Sequence, residues 1–137
     1  MAALTAPRNV PVMGEASFKT SQPVKTATTI YQGALVMTDA TGYAVPGASG
    51  ATTNISWGIA LSTVVNAGAS GALNIDVACE AAFLMNASGL TQANNGAYAY
   101  FTDDNTITTT STGNSKVGTI VNVVSATQCW VYIGVTR

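Results

Sequence analysis

The chain is 137 residues long, and it departs from an ordinary soluble domain mainly in charge. Charged residues make up 8% of it, whereas about 25% is usual, and the apolar share is normal. A domain of this length buries roughly two-thirds of the surface that its unfolded chain exposes, so it can hold a core. A net charge of −1 without a clustered basic stripe argues against a nucleic-acid partner. Such a neutral surface suits a protein that works in an assembly.

The first 28 residues differ from the rest of the chain. Pro7, Pro11 and Pro23 interrupt any regular element, and few large apolar side chains are available for burial. We predict an extended N-terminal arm over residues 1–28, with a disordered terminus as the alternative. The arm is weakly basic, whereas the body that we expect over residues 29–137 is acidic. Its basic residues are Arg8, Lys19 and Lys25, set against one acid, Glu15.

Neither a secretory signal nor a membrane-spanning segment is predicted. The N-terminus lacks the apolar run of a signal peptide, and about 18 consecutive apolar residues occur nowhere in the chain. We therefore expect synthesis in a cytoplasm and no membrane partner. In that reducing compartment, Cys79 and Cys129 are expected to be small buried hydrophobic residues, and a disulfide between them is the less favoured alternative.

From residue 27 onward the sequence predicts short β-strands. β-Branched and aromatic residues alternate with small polar ones, and turn residues interrupt the pattern every several positions. No stretch repeats convincingly at helical spacing, although residues 87–95 have room for one helical turn. The predicted strands are 34–38, 42–45, 56–64, 72–79, 82–85, 97–101, 106–110, 116–124 and 128–135.

Part of the sequence occurs twice in similar form. Residues 32–45 read QGALVMTDATGYAV, and residues 95–108 read NGAYAYFTDDNTIT. Two units are too few for a solenoid, which needs at least three to bury its faces. We expect the two units to pack face to face and to close a small all-β barrel or sandwich around one core. The correspondence continues from 57–61 to 117–121 and from 72–77 to 129–135.

Alternation along the closing strand of each unit predicts which side chains face that core. In the final strand, Trp130 and Tyr132 must point outward if their neighbours point inward. Two adjacent outward aromatic residues are candidates for a subunit or partner contact, and a covering loop is the alternative. The side chains expected to face the core are Leu73, Ile75, Val77 and Cys79 in one unit and Cys129, Val131, Ile133 and Val135 in the other.

The residue types that carry most enzyme chemistry are missing or scattered. The chain has no histidine, which removes the commonest general base and metal ligand. The two cysteines are too far apart in sequence to form a metal-ligand cluster, and no glycine-rich phosphate loop occurs. We interpret the segment 103–105 as a solvated turn rather than a calcium loop. We interpret Asp76 and Glu80 as carboxylates that point outward from strands, not as a general-acid pair. We predict no enzyme activity, no small-molecule substrate and no catalytic, cofactor or metal site.

Five short segments follow one another between residue 30 and the C-terminal end. They are 30–36 (IYQGALV), 57–61 (WGIAL), 96–101 (GAYAYF), 116–121 (KVGTIV) and 130–133 (WVYI). In order and spacing they resemble the small capsid decoration, or cement, proteins of tailed bacteriophages. The resemblance covers the chain from about residue 27 onward. It implies a compact β-barrel-like decoration domain with an N-terminal arm, no enzymatic activity and a place on the outer surface of the virion head.

The resemblance also implies partners and contact residues. The protein is expected to stabilise the assembled head by bridging subunits of the major capsid protein, and to form a homotrimer. The arm is expected to contact the capsid through Arg8, Lys19 and Lys25, while Trp130 and Tyr132 are expected in a subunit or capsid contact. The competing hypothesis is a self-assembling fibre, spike or surface-layer module, whose sequence would contain more repeats or a long stalk.

Overall fold

The computed structural model describes residues 2–13 and 18–134. Within these residues the secondary structure consists of β-strands and one single-turn 3-10 helix, Gln92–Asn94, which lies in the segment where a helical turn was expected. The strands are β1 (Val12–Met13), β2 (Phe18–Pro23), β3 (Thr28–Ile30), β4 (Leu35–Thr38), β5 (Ala44–Pro46), β6 (Ile55–Ala60), β7 (Val64–Asn66), β8 (Asn74–Cys79), β9 (Ala81–Asn86), β10 (Tyr98–Phe101), β11 (Ile107–Thr108), β12 (Lys116–Ser125) and β13 (Gln128–Ile133).

The strands form two large antiparallel sheets and one small ribbon. Sheet I has the order β2-β8-β6-β4-β5, sheet II has the order β1-β9-β13-β12-β10-β11, and β3 pairs with β7. The predicted all-β class is confirmed, and the arrangement is that of a sandwich. Neither sheet closes into a complete barrel. Each sheet curls, and one isolated parallel bridge spans the curl: Val24 to Ala44 in sheet I, and Asn86 at the end of β9 to Thr106 in sheet II.

Two buried clusters hold the sheets together. The larger one lies between the sheets, where Leu35, Met37 and Ile59 of sheet I join the inner side chains of sheet II, such as Phe101 and Val131. The smaller one lies on the other face of sheet I and includes residues of the β3-β7 ribbon. Sheet I is therefore buried on both faces, which explains why all four residues of β4 are buried.

The predicted repeat is present in the three-dimensional structure and is longer than the sequence indicated. The strands β2, β4, β5, β6 and β8 of the first repeat correspond to β9, β10, β11, β12 and β13 of the second. Both sets have the same order in their sheets, 2-8-6-4-5 in one and 9-13-12-10-11 in the other. The ribbon strands β3 and β7 are additions to the first repeat, and β1 is an addition to sheet II.

Backbone hydrogen bonds match between the repeats. Gly33 N donates to Ala60 O over 2.9 Å, and Ala60 N donates to Ala34 O over 2.9 Å. Both glycines that open a repeat, Gly33 and Gly96, have φ of +86°, a value that costs glycine little. The sequence similarity at 32–34 and 95–97 therefore reflects one shared strand entry. The matching bonds of the second repeat run from Gly96 N to Ile120 O (2.7 Å) and from Ile120 N to Ala97 O (2.8 Å).

Three sequence-based assignments need correction. The predicted strand 56–64 is two strands, β6 and β7, because the chain leaves sheet I after Ala60 to form the ribbon. The last strands of the repeats correspond through Ala78 and Tyr132, which pair with Ile59 and Thr119, and not through Ala72 and Cys129. Leu73 precedes β8 and is 46% exposed, so its predicted inward orientation is wrong. Val135, also expected inward, lies outside the described residues.

The predicted arm is extended, but its described residues lie against the body. β2 forms one edge of sheet I through a six-residue antiparallel pairing with β8. Residues 4–13, here called the strap, cross from the first repeat to the edge of sheet II. Leu4 N donates to Asp104 Oδ1 over 2.8 Å, Arg8 N donates to Gln32 O over 2.8 Å, and β1 pairs with β9. Position 28 therefore does not separate an arm from a body in the structure.

We predict that Gly118→Ala destabilises the protein by about 1–3 kcal/mol. Gly118 lies beside the bulge that β12 forms in its pairing with β10, and a Cβ there would overlap the carbonyl oxygen of Tyr132. The midpoint of urea unfolding measures the change. Gly68→Ala is the control, because a Cβ at Gly68 would be 3.4 Å from its nearest neighbour. Equal midpoints for the two variants would contradict the close approach.

Candidate functional site

The final strand, β13, separates its side chains as the alternation predicts. Cys129, Val131 and Ile133 are fully buried, while Tyr132 is 40% exposed and Trp130 is half-buried on the opposite side. Cys129 is a buried thiol, as is Cys79, and burial raises the pKa of Cys129 to about 11. The predicted buried role of the cysteines is confirmed.

The outward side chains of β13 belong to a larger surface on sheet II. Strand register places Tyr98, Thr119, Tyr132, Ala82 and Met13 in one row across five strands. In this row Tyr98 is 54% exposed, Tyr132 40% and Met13 47%. Exposed apolar patches of this kind typically mark contact sites. We call this surface the outer face; it consists of Met13, Ala82, Tyr98, Thr119, Trp130 and Tyr132.

Both exposed tyrosine rings of the outer face are held in position. The Tyr132 hydroxyl donates to Glu80 Oε2 over 2.5 Å, and this bond raises the pKa of Tyr132. Glu80 lies where the chain crosses from β8 to β9, with φ of +59°, a strained value for a residue other than glycine. Lys116 Nζ lies 3.5 Å from the centre of the Tyr98 ring. Rings fixed in this way lose little side-chain entropy when a partner binds.

A groove of about 480 Å³ adjoins the outer face. One wall is residues 52–56, before and at the start of β6, and the other is formed by β12, Tyr132 and Gly134. Glu80 also lines it. Gly134 leaves the groove open beside Tyr132, because a Cβ there would lie 3.1 Å from Cε2 of the ring. The aromatic surface is therefore continuous with a concave, partly polar one.

The equivalent face of the first repeat is covered. Its row runs through Lys19, Ala78, Ile59 and Leu35, which correspond to Ala82, Tyr132, Thr119 and Tyr98. Ile59 and Ala78 are each only 4% exposed, and Leu35 is fully buried. These three belong to the larger buried cluster, against which Val10 and Val12 of the strap also pack. The positions of Tyr98 and Tyr132 are therefore buried in the first copy and open in the second, whereas Asp76, the counterpart of Trp130, is exposed.

Two of the three basic residues predicted as contacts line one cleft, and the third lies apart from it. Arg8 and Lys19 both line a cleft beneath the strap. Arg8 is half-buried, with its Nε donating to Gly33 O over 3.1 Å, and Lys19 is exposed on β2. Lys25 instead forms an ion pair with Asp39, Nζ to Oδ2 2.6 Å. Together with a bond from Thr41, that contact lowers the pKa of Asp39 to about 2.

The sequence analysis missed Tyr98 and Lys116 as members of this region. The signal was available, since Ala99 and Phe101 are inward residues of β10 and the alternation then places Tyr98 outward. The position of Lys116 over that ring depends on the pairing of β10 with β12, which the sequence did not specify. Glu80 was identified as an outward carboxylate, but its bond to Tyr132 joins residues 52 positions apart.

The described residues contain no cluster of three or more acidic, cysteine or histidine side chains that could hold a metal ion. Within residues 2–13 and 18–134, no helix has the length and apolar character needed to cross a membrane. Comparisons of the chain with protein-family models, with curated proteins and with solved structures gave no match.

We predict that replacing Glu80 by Gln lowers the pKa of Tyr132 towards the ordinary tyrosine value. The carboxylate raises that pKa mainly by accepting the phenol proton in a hydrogen bond, and secondarily by its charge. NMR titration of the tyrosine ring carbons measures the change, with Tyr98 as the internal control. An unchanged Tyr132 titration would mean that the Glu80 bond does not persist in solution.

A second prediction concerns the Lys25–Asp39 pair. The folded-state pKa of Asp39 is about 2, below its ordinary value of 3.8, so the carboxylate stabilises the fold above pH 4. That contribution is lost as the pH falls from 4 towards 2. Asp39→Asn should therefore reduce stability at pH 6 and flatten its decline between pH 4 and 2 in urea unfolding. Asp76→Asn is the control, because this exposed carboxylate has no ion pair among the described residues; a wild-type slope in Asp39→Asn would contradict the prediction.

Proposed function

We propose that this protein is a structural virion protein that binds the outer surface of an assembled phage head and stabilises it by bridging major capsid protein subunits. One observation carries the proposal: the outer face presents two fixed tyrosine rings and a half-buried tryptophan to solvent. The counterparts of the two tyrosines in the first repeat, Leu35 and Ala78, are buried. A chain that covers one copy of a surface and leaves the other open has a contact surface available to a partner.

The chemistry of the outer face suits a protein partner. Tyrosine and tryptophan are enriched among residues that anchor protein interfaces, and they combine a large contact area with few rotatable bonds. The six residues of the outer face are uncharged, and the charged groups beside it, Glu80 and Lys116, are each already in contact with one of its tyrosine rings. This matches the chain as a whole, of which only 8% is charged. Burial of these rings would supply most of the binding free energy.

Binding to an assembled lattice turns this contact into a stabilising one. A capsid under outward pressure fails when neighbouring subunits separate. A protein that binds the assembled state, and not the separated subunits, stabilises the assembly by mass action. The effect is multiplied over many copies. Three copies around a local three-fold axis, a homotrimer, would bury the neutral flanks of the body.

The N-terminal region supports a second part of the same contact. β2 is an edge strand of sheet I, and in the described residues its ladder partner is β8 alone. An open strand edge accepts an extended segment of another chain. We therefore place strand addition with the capsid at β2, near the basic residues Arg8, Lys19 and Lys25. Lys19 is the exposed one of the three.

The proposal predicts that the double variant Trp130→Ala, Tyr132→Ala folds but binds expanded heads much more weakly. Truncating an interface anchor typically costs about 2 kcal/mol or more, so an affinity loss of at least about thirtyfold is expected from the arithmetic of binding. Co-sedimentation of purified protein with heads that lack it measures the binding. Sedimentation of the free protein tests whether the same variant loses its trimer.

A matched control is the double variant Val65→Ala, Leu73→Ala. It removes two apolar side chains that are 60% and 46% exposed in the first repeat, away from the outer face. This control should bind heads as the wild type does. Equal binding by both double variants would refute the role of the outer face. If the wild-type protein does not bind heads and polymerises alone, the result would instead favour the hypothesis of a self-assembling module.

A further inference from the structure

A cleft of about 490 Å³ opens between the strap and sheet I. Its apolar walls include Val12 of the strap, Ile59 of β6 and Phe83 of β9. Two cations, Arg8 and Lys19, also line it. None of the described residues that line the cleft is acidic, although the body as a whole carries more acidic than basic residues. The lining therefore combines apolar surface with two positive charges.

The bonding of Arg8 leaves its guanidinium only partly satisfied. Its backbone N donates to Gln32 O over 2.8 Å, and its Nε donates to Gly33 O over 3.1 Å. Its Nη2 is buried and has no hydrogen-bond acceptor among the described residues. A buried donor without an acceptor is costly, and a guanidinium offers five donors in a fixed plane. The side chain as a whole is half-buried and lines the cleft.

The nearest carboxylates compensate this charge incompletely. Asp103 and Asp104 act on Arg8 through space, but burial has the larger effect and lowers the pKa of Arg8. Neither carboxylate lines the cleft. Asp104 Oδ1 instead accepts the backbone N–H of Leu4 over 2.8 Å. Among the described residues, no carboxylate is therefore bonded to the Arg8 guanidinium.

We infer that this cleft binds an aspartate or glutamate side chain of the partner polypeptide. Its carboxylate would lie between Arg8 and Lys19, and its methylene groups would lie against the apolar walls. An arginine fork matches a carboxylate in geometry, and complementary charge selects a partner more than it adds affinity. The inference rests on the proposed function, for which it assigns an acidic residue to the capsid side of the contact.

The internal repeat places this cleft at a second contact position. The cleft lies over Lys19, Ala78 and Ile59, which correspond to Ala82, Tyr132 and Thr119 of sheet II. In sheet II this position belongs to the outer face and is open; in sheet I the strap covers it and leaves only the cleft. The two repeats therefore offer a partner one aromatic surface and one basic cleft.

The first test uses small probes and no heads. The full chain is titrated with N-acetylglutamate amide and, in parallel, with its neutral analogue N-acetylglutamine amide, and backbone amide shifts are followed by NMR. We expect shifts at Lys19, Gly33 and Leu61 with glutamate only. Lys19→Gln should weaken binding about two- to fivefold, the range of one exposed ion pair. Lys116→Gln, the same charge change at the Tyr98 ring, should not change it.

A second variant separates binding from structure. Arg8→Met keeps an apolar stem over Gly33 and removes the guanidinium together with its Nε bond to Gly33 O, so the glutamate shifts should disappear in a variant that still folds. Glutamate shifts that persist in folded Arg8→Met would mean that Arg8 has only a structural role, and would overturn the inference. If Arg8→Met fails to fold, the glutamate titration of Lys19→Gln tests the inference instead. Equal shifts with the glutamine analogue, or equal weakening by Lys116→Gln, would overturn the inference. Glutamate binding that appears only after Glu15→Gln would assign the cleft to the chain's own carboxylate and also overturn it.

Head binding then separates this inference from the proposed function. Lys19→Gln should weaken co-sedimentation with heads and reduce its dependence on salt concentration. Normal head binding by Lys19→Gln would overturn the inference and leave the outer face intact as the contact. Wild-type protein that binds the glutamate probe but not heads would refute the proposed function and leave the carboxylate site standing.

Discussion

The structure depends on the close approach of backbone at the central strand of each sheet. Gly58 in β6 and Gly118 in β12 lie beside equivalent bulges of their own strands, and a Cβ at either would overlap a carbonyl oxygen of the next strand. A bulge bends its strand and increases the local twist. The bend lets each sheet curl, and a single parallel bridge spans each curl. The curl in turn gives each sheet a concave side for its core and a convex side for contacts.

The two repeats share this construction but use their convex sides differently. In the first repeat the convex residues Leu35, Ile59 and Ala78 are buried in the inter-sheet core. In the second, Tyr98 and Tyr132 remain in solvent. A duplicated unit that packs on its own copy satisfies one surface and leaves one equivalent surface without a partner. The strap and the ribbon are the additions that complete the burial of the first repeat.

Low charge has consequences for how this body is held together. Among the described residues the one ion pair is Lys25 with Asp39, and most polar side chains bond to nearby backbone or to one another. Asn66 is an example, since its side-chain amide donates to three carbonyls, those of Val24, Lys25 and Ala69. Stability therefore comes mainly from apolar burial and backbone pairing, which change little with salt. A body of this kind can present a neutral surface without losing its fold.

Features that depend on neighbouring residues could be predicted from the sequence. Alternation identified nine strand regions. Because successive strand residues take opposite faces, it also predicted the burial of Cys129, Val131 and Ile133. The same alternation predicted that Trp130 and Tyr132 point outward. The paired Gly-Ala steps at 33–34 and 96–97 identified the repeat. Local pattern could not identify β2, whose Lys19 and Pro23 suit an edge strand as well as a loose arm.

Which convex face is open could not be predicted in this way, because it depends on where the chain crosses between the sheets. The crossing at Glu80 places sheet II against one side of sheet I and brings Glu80 to Tyr132, a contact between residues far apart in sequence. The packing of the two sheets and the strap also places Arg8 and Lys19 in one cleft, while Lys25 forms an ion pair with Asp39. Contacts of this kind follow from the packing of whole sheets, and no local pattern of residue types encodes them.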